Sequence, residues 1–108
     1  MIRINILYPT GGHFDMDYYL GIHMPRSIEL LSKGSGYRGV SVERGLTGAV
    51  PGSEPAFVAL CQYAFDSIDD FMAAFLPHAE ELKGDMKNYT DIEPVIQFSV
   101  VEMADAFA

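Results

Sequence analysis

The stretch Phe57-Val58-Ala59-Leu60-Cys61-Gln62-Tyr63-Ala64-Phe65 is apolar along both of its alternating sets of positions. A strand with that pattern needs cover on both faces. It belongs in the middle of a sheet, with a helical layer over one side and a partner subunit available to cover the other.

The rest of the chain supplies the elements around it. Ile2, Ile4, Ile6 and Tyr8 alternate with Arg3, Asn5 and Leu7 as in a strand, and Pro9-Thr10-Gly11-Gly12 ends it with turn chemistry. A helix follows, with Asp15 as its N-cap and Asp17 placing negative charge in the first turn, where the helix dipole favours it. At about 100° per residue, His23 shares a face with Met16, Tyr19, Leu20, Ser27, Leu30 and Leu31. Pro25 cannot donate to the Gly21 carbonyl and its ring crowds that carbonyl, so a kink eased by Gly21 is expected in a helix running on to about Ser32. Lys33-Gly34-Ser35-Gly36 closes this helix.

Tyr37 to Leu46 alternates like a second strand, in which the glycines suggest bulges. Thr47 to Pro55, with two glycines, two prolines and a serine, reads as an exposed connection. Ser67-Ile68-Asp69-Asp70 has the form of a capping box, and Ile68, Phe71, Met72, Phe75, Ala79 and Leu82 follow at helical spacing. Pro77 breaks or kinks that second helix, which ends near Gly84. Glu93 to Glu102 is the last strand, with Pro94 at its start or on an edge.

The order βαββαβ is the signature of an α+β, ferredoxin-like domain with a four-stranded antiparallel sheet. Right-handed crossovers place both helices on one face. A chain of 108 residues, 49% of them hydrophobic, makes one domain over residues 1–108 with apolar surface to spare, which favours a homodimer. Seven basic against fifteen acidic residues give a net charge of −8 with no basic cluster, so nucleic acid and anionic membranes are disfavoured partners. No apolar run approaches the roughly 20 residues that span a bilayer. Cys61 stands alone and cannot form an internal disulfide, and the N-terminus lacks the charged start and apolar run of a signal peptide. A cytoplasmic location is the expectation.

Candidate chemistry centres on the first helix. Histidine is the side chain suited to proton transfer near neutral pH, and His23 on an apolar stripe has the placement of a general acid or base toward a ligand held between helix and sheet. The same placement suits a core histidine whose ring nitrogens bond a strand side chain or a carbonyl. Tyr19 shares its face and is placed to orient a substrate oxygen, while Tyr18 points about 100° away. Both tyrosines also suit plain aromatic packing. Asn88, Tyr89, Thr90 and Asp91 make turns readily, or else Tyr89 or Asn88 reaches over the mouth of a pocket. Cys61 has no neighbouring cation to activate it and reads as core. His13, His23 and His78 are too scattered for a metal site, and Gly34-Ser35-Gly36 opens no helix as a phosphate loop would. No cofactor is indicated.

Tyr18-Tyr19 followed by His23-Met24-Pro25, after a strand ending in Tyr8-Pro9, forms one motif; Asp85-Met86-Lys87-Asn88-Tyr89-Thr90-Asp91 leading into Glu93-Pro94-Val95-Ile96-Gln97 forms another. Together they closely resemble the EthD family, small bacterial proteins named for a locus of ethyl tert-butyl ether degradation. The resemblance covers nearly the whole chain and implies a dimeric α/β-barrel, in which two ferredoxin-like sheets pack face to face with the helices outside. The wider superfamily it implies includes cofactor-free monooxygenases, polyketide cyclases and muconolactone-type isomerases, so fold alone does not select an activity.

The resulting expectation is a small, largely apolar organic molecule bound between the first helix and the sheet. His23 would be the proton-transfer group and Tyr19 the orienting hydroxyl, with Tyr18, Asn88 and Tyr89 at the ligand and neither metal nor cofactor. The alternative is a non-enzymatic accessory or ligand carrier whose partner is a catabolic oxygenase. It rests on the absence of a metal motif, a cofactor fingerprint and an evident nucleophile–base pair.

Overall fold

The alternating isoleucines and Tyr8 build β1 (Ile2–Pro9), and the doubly apolar stretch builds β3 (Phe57–Phe65) directly beside it. The computed structural model describes residues 1–106; Phe107 and Ala108, the end of the expected domain, lie outside the described residues. The sheet runs β2-β3-β1-β4, with all neighbours antiparallel and with β2 (Tyr37–Arg44) and β4 (Val95–Val100) on its edges. This is the α+β, ferredoxin-like arrangement, and the doubly apolar stretch is an interior strand. The expected bulge in β2 falls between Tyr37 and Gly39, where Gly39 takes a φ of 136° that only glycine adopts freely.

The register sorts the two faces. Ile4 stands between Tyr63 and Phe98, and Ile6 between Cys61 and Ile96, on the side that the helices cover. Ile4, Tyr63, Phe65 and Leu31 are almost wholly buried there, each removal from water being worth about 1.5–3 kcal/mol for an aliphatic or phenylalanine side chain. On the other face Asn5 stands between Gln62 and Gln97. Gln62 Nε2 donates to Asn5 Oδ1 at 2.8 Å, and Asn5 Nδ2 donates to the Gln97 carbonyl at 3.0 Å and to Ser99 Oγ at 3.1 Å. The middle of that second face is therefore a bonded amide row. An apolar row, Leu60, Leu7 and Val95 in register, runs next to it.

Asp15 caps α1 (Met16–Tyr18), its Oδ1 accepting from the Tyr18 N–H at 3.0 Å. The chain then widens into a π-helical turn over Tyr19–His23, where the Met24 N–H reaches back to the Tyr19 carbonyl, before α2 (Met24–Leu31) resumes α geometry. Pro25 supplies no N–H to the Gly21 carbonyl, and the wide turn just upstream is how the backbone responds. The extra residue of that turn corrects one expectation: Leu20, assigned to the buried face by α-helical counting, is 50% exposed. Gly21 is not needed for space, since a Cβ there would meet nothing within 4 Å.

Ser67 Oγ accepts from the Asp70 N–H at 3.1 Å and starts α3 (Ile68–Phe75). Pro77 breaks the second helix as expected, through a 3-10 turn at Leu76–His78, and α4 (Ala79–Gly84) follows. Ile68, expected on the apolar stripe, is 43% exposed, while Ala74 is buried. Arg26 of α2 clasps Glu81 of α4, donating to its two oxygens at 2.7 and 3.0 Å.

A 3-10 turn, Met86–Asn88, then leads toward β4 and is tied to the loop after β1. The Asp15 N–H donates to the Tyr89 carbonyl at 2.7 Å, the His13 N–H to Asp91 Oδ1 at 2.8 Å, and Thr90 Oγ1 to the His13 carbonyl at 2.6 Å. These bonds bring the two motifs together. Among the described residues no helix is long and apolar enough to cross a membrane.

Candidate functional site

Asp85 follows Gly84 at the end of α4 and receives three side chains from two directions. Its Oδ2 lies 2.9 Å from His23 Nδ1, and its Oδ1 accepts from Tyr18 Oη at 2.6 Å and from Asn88 Nδ2 at 2.9 Å. Burial alone would raise the Asp85 carboxyl, but the hydrogen bonds from Tyr18, Asn88 and His23 outweigh it and hold the group below the usual carboxylate value. The bond to Asp85 in turn raises the Tyr18 phenol. In a regular α-helix, residues five apart point about 140° away from each other. The π turn closes that angle, so Tyr18 and His23 meet one carboxylate.

The imidazole is clamped by rings. Tyr19 stacks on it at 5.5 Å between centroids and 12° between planes, and Tyr89 leans against it at 4.7 Å and 52°. Tyr89 Oη is itself paired with Tyr8 Oη at 2.8 Å, in the buried interior. With Nδ1 facing the carboxylate, the ring is assigned as the tautomer that donates from Nδ1, which leaves a lone pair on Nε2. Nε2 has no side-chain or backbone partner among the described residues. No buried side-chain nitrogen or oxygen is left orphaned there, so Nε2 is not sealed in the core.

Two cavities meet at this histidine. The inner one, about 360 Å³ between helices and sheet, is walled by His23, Ser27, Tyr63, Phe71 and Tyr89 among mostly apolar neighbours. The outer cleft, about 320 Å³, is lined by His23, Arg26, Glu81, Asp85 and Asn88. His23 and Leu82 belong to both walls. Asp85 borders only the outer cleft, so the bonded edge of the imidazole lies on that side.

Of the residues singled out from sequence, His23, Tyr18 and Asn88 converge on Asp85, and Tyr89 packs on the imidazole and lines the inner cavity. Tyr19 is buried, lines neither cavity and backs the imidazole with its ring. Burial raises its phenol. Burial likewise pushes the Cys61 thiol up to about 11, in keeping with a core cysteine. Segment 47–55 lines neither cavity.

Asp85 opens the second motif but is not among the residues expected at the site. Its local signal is the spacing to Asn88 three residues on, but its contact with His23 spans 62 residues and leaves no trace in any short window. Among the described residues no group of three His, Cys, Asp or Glu side chains is placed to hold a metal ion.

A ferredoxin-like α+β fold with a carboxylate-bound histidine on the wall of a helix–sheet cavity defines a small cavity-bearing α+β protein. The chain belongs to the EthD family: the family model of the EthD domain matches residues 13–93. An EthD-like protein from Ralstonia eutropha JMP134 is similar at 45% identity and a TM-score of 0.86, covering 97% of this chain and 96% of its own. An ethyl tert-butyl ether degradation family protein from Bacillus halodurans C-125 aligns at 21% identity and a TM-score of 0.60, over 94% of this chain and 98% of its own. SnoaB from Streptomyces nogalater, described as a cofactor-independent oxygenase, shares the fold at 13% identity and a TM-score of 0.56, over 95% and 93% of the two chains. No curated protein matches the sequence.

Proposed function

We propose that this EthD-family protein binds a small, largely apolar organic molecule in the inner cavity and moves a proton on it through His23, in cofactor-independent chemistry. The observation that carries the reading is the 2.9 Å contact of His23 Nδ1 with Asp85, on a histidine that walls an apolar cavity. A carboxylate at Nδ1 fixes the tautomer, leaves Nε2 as the base and stabilises the imidazolium that proton uptake creates. A positioned base of this kind contributes on the order of 10²–10⁴ in rate. Tyr18 and Asn88 hold the carboxylate, and Tyr19 is a positioning residue behind the ring. The description of SnoaB as a cofactor-independent oxygenase accords with such chemistry in this fold.

Incubation with a panel of aromatic and polyketide-like compounds, read by mass spectrometry for binding and conversion, tests the proposal. At least one compound is expected to bind and be converted, and His23→Gln is expected to stop conversion while binding persists. Binding without conversion, together with an oxygenase that co-purifies, would instead assign the accessory or carrier role. We also propose a homodimer through the second sheet face, supported by the row Leu60, Leu7 and Val95, which no helix among the described residues covers.

A further inference from the structure

The inner cavity holds a second polar feature besides His23. Ser27 Oγ and Tyr63 Oη lie 2.5 Å apart on its wall, both buried. Two hydroxyls share one hydrogen bond between them, which leaves one hydroxyl hydrogen free to donate elsewhere. Both residues border the cavity, so that donor has somewhere to act.

Ser27 follows His23 by four residues, and His23 already has helical dihedrals as the N-cap of α2. Residues at that spacing share a helix face, with about 5–6 Å between their Cβ atoms. A base and a hydrogen-bond donor are therefore held about one helical turn apart on one wall. The rest of the wall suits a flat ring. Phe71 and Phe75 stack with centroids 5.3 Å apart and planes at 11°, and Tyr89 closes the side next to His23.

Building on the proton-transfer reading of His23, we propose that the inner cavity takes an enolisable benzylic ketone, in which a CH2 separates an aromatic ring from the carbonyl, with its carbonyl oxygen at the Ser27–Tyr63 hydroxyl pair and its acidic C–H at His23 Nε2. The C–H bond next to the carbonyl breaks and its proton goes to Nε2. The released electron pair forms the carbon–carbon double bond, and the carbonyl π pair settles on oxygen, where the hydroxyl pair donates to it. Return of the proton to oxygen gives the enol, and return to the same carbon regenerates the ketone, with hydrogen exchanged against solvent. Nothing is oxidised or reduced, and no co-reactant is needed. Ser27 and Tyr63 are both buried, where a preorganised donor counts for most.

The probe is 2-tetralone, a ring-fused ketone whose hydrogens between ring and carbonyl exchange in D2O and are followed by proton NMR. The native protein is expected to accelerate exchange saturably above an equal concentration of free imidazole, and His23→Gln to return it to that background. Ser27→Ala is expected to lower the exchange rate on the order of 10²-fold without moving the saturating concentration, and Ser27→Thr, which keeps the hydroxyl, to recover it. Tyr63→Phe is a second variant that perturbs the same pair from the sheet side, should Ser27→Ala fail to fold. Saturable binding of 2-tetralone with no acceleration overturns the enolisation assignment, and no binding overturns the benzylic-ketone class. Either result leaves the broader reading to stand or fall on the ligand panel. Native exchange rates in both folded hydroxyl variants would remove the pair from the chemistry.

Discussion

Tyr18 and His23 bond opposite oxygens of Asp85, at 2.6 and 2.9 Å, although they sit five residues apart on one helical segment. The π turn between them makes this possible, and Pro25 gives the turn its cause. The site therefore depends on a helical defect that the sequence enforces.

Asp85→Asn removes the charge that all three partners share. Bonds to charged groups contribute about 1.5–3 kcal/mol, and the amide retains part of them, so a loss of about 1–2 kcal/mol in urea denaturation is expected. Tyr18→Phe, which deletes one of those bonds, is expected to destabilise the fold by less than Asp85→Asn does. In the double variant the combined loss should fall short of the sum of the two single losses, because the contact they share is counted in both. Full additivity would show that the two residues do not act as a unit.

The depressed Asp85 carboxyl also fixes the sign of a pH effect. Its folded value lies below the unfolded value of about 3.9, so its stabilising contribution is complete above that value and fades as pH falls through the folded value. The stability gap between the native protein and Asp85→Asn is expected to be constant from pH 6 down to about 5 and to close below about pH 4. A gap that stays constant through that acidic range would mean the carboxyl is not depressed.

Gly21 sits in the π turn with a negative-side φ and open space where an added methyl group would stand. Gly21→Ala is expected to raise stability by about 0.4–1 kcal/mol by restricting the unfolded chain, and to leave the Asp85 contacts in place. A destabilised variant in the same thermal melts would show that the turn needs glycine after all.

With its thiol pushed up to about 11, Cys61 holds very little thiolate near neutrality. At pH 8 its alkylation by iodoacetamide is expected to be slower than that of a free cysteine by about two orders of magnitude, and to become fast in denaturant. Equal rates in the folded and unfolded protein would contradict a buried thiol.

The proposed homodimer predicts a species of twice the chain mass in sedimentation at micromolar concentration. Leu7→Lys, which puts a charge in the middle of the uncovered row beside Leu60 and Val95, is expected to shift that species to single-chain mass. A native protein that sediments as a single chain would rule the dimer out under those conditions.

Much of the fold was legible because its causes are local. Period-two alternation marked β1 and β2, an unbroken apolar run marked β3, Asp15 and Ser67 marked two helix starts, and Pro77 marked the break that separates α3 from α4. Counting at 100° per residue worked for Tyr19, His23, Ser27 and Leu31, which are buried, and failed at Leu20, where the wide turn inserts a residue. The missing donor at Pro25 could be read from the sequence, but not the place where the freed backbone would rebond.

By itself the sequence determined the order of elements, the interior place of the Phe57–Phe65 strand and the inward turn of His23, all of which follow from periodicity and from what proline and capping residues do to nearby backbone. Only the tertiary structure decided that Asp85, 62 residues away, would meet His23, that Tyr18 would join it, that Tyr19 would back the ring, and that an amide row would occupy the second sheet face. The physical reason is that these contacts depend on how α4 packs against α2 and on how far the π turn rotates the helix, quantities that no short stretch of residues encodes.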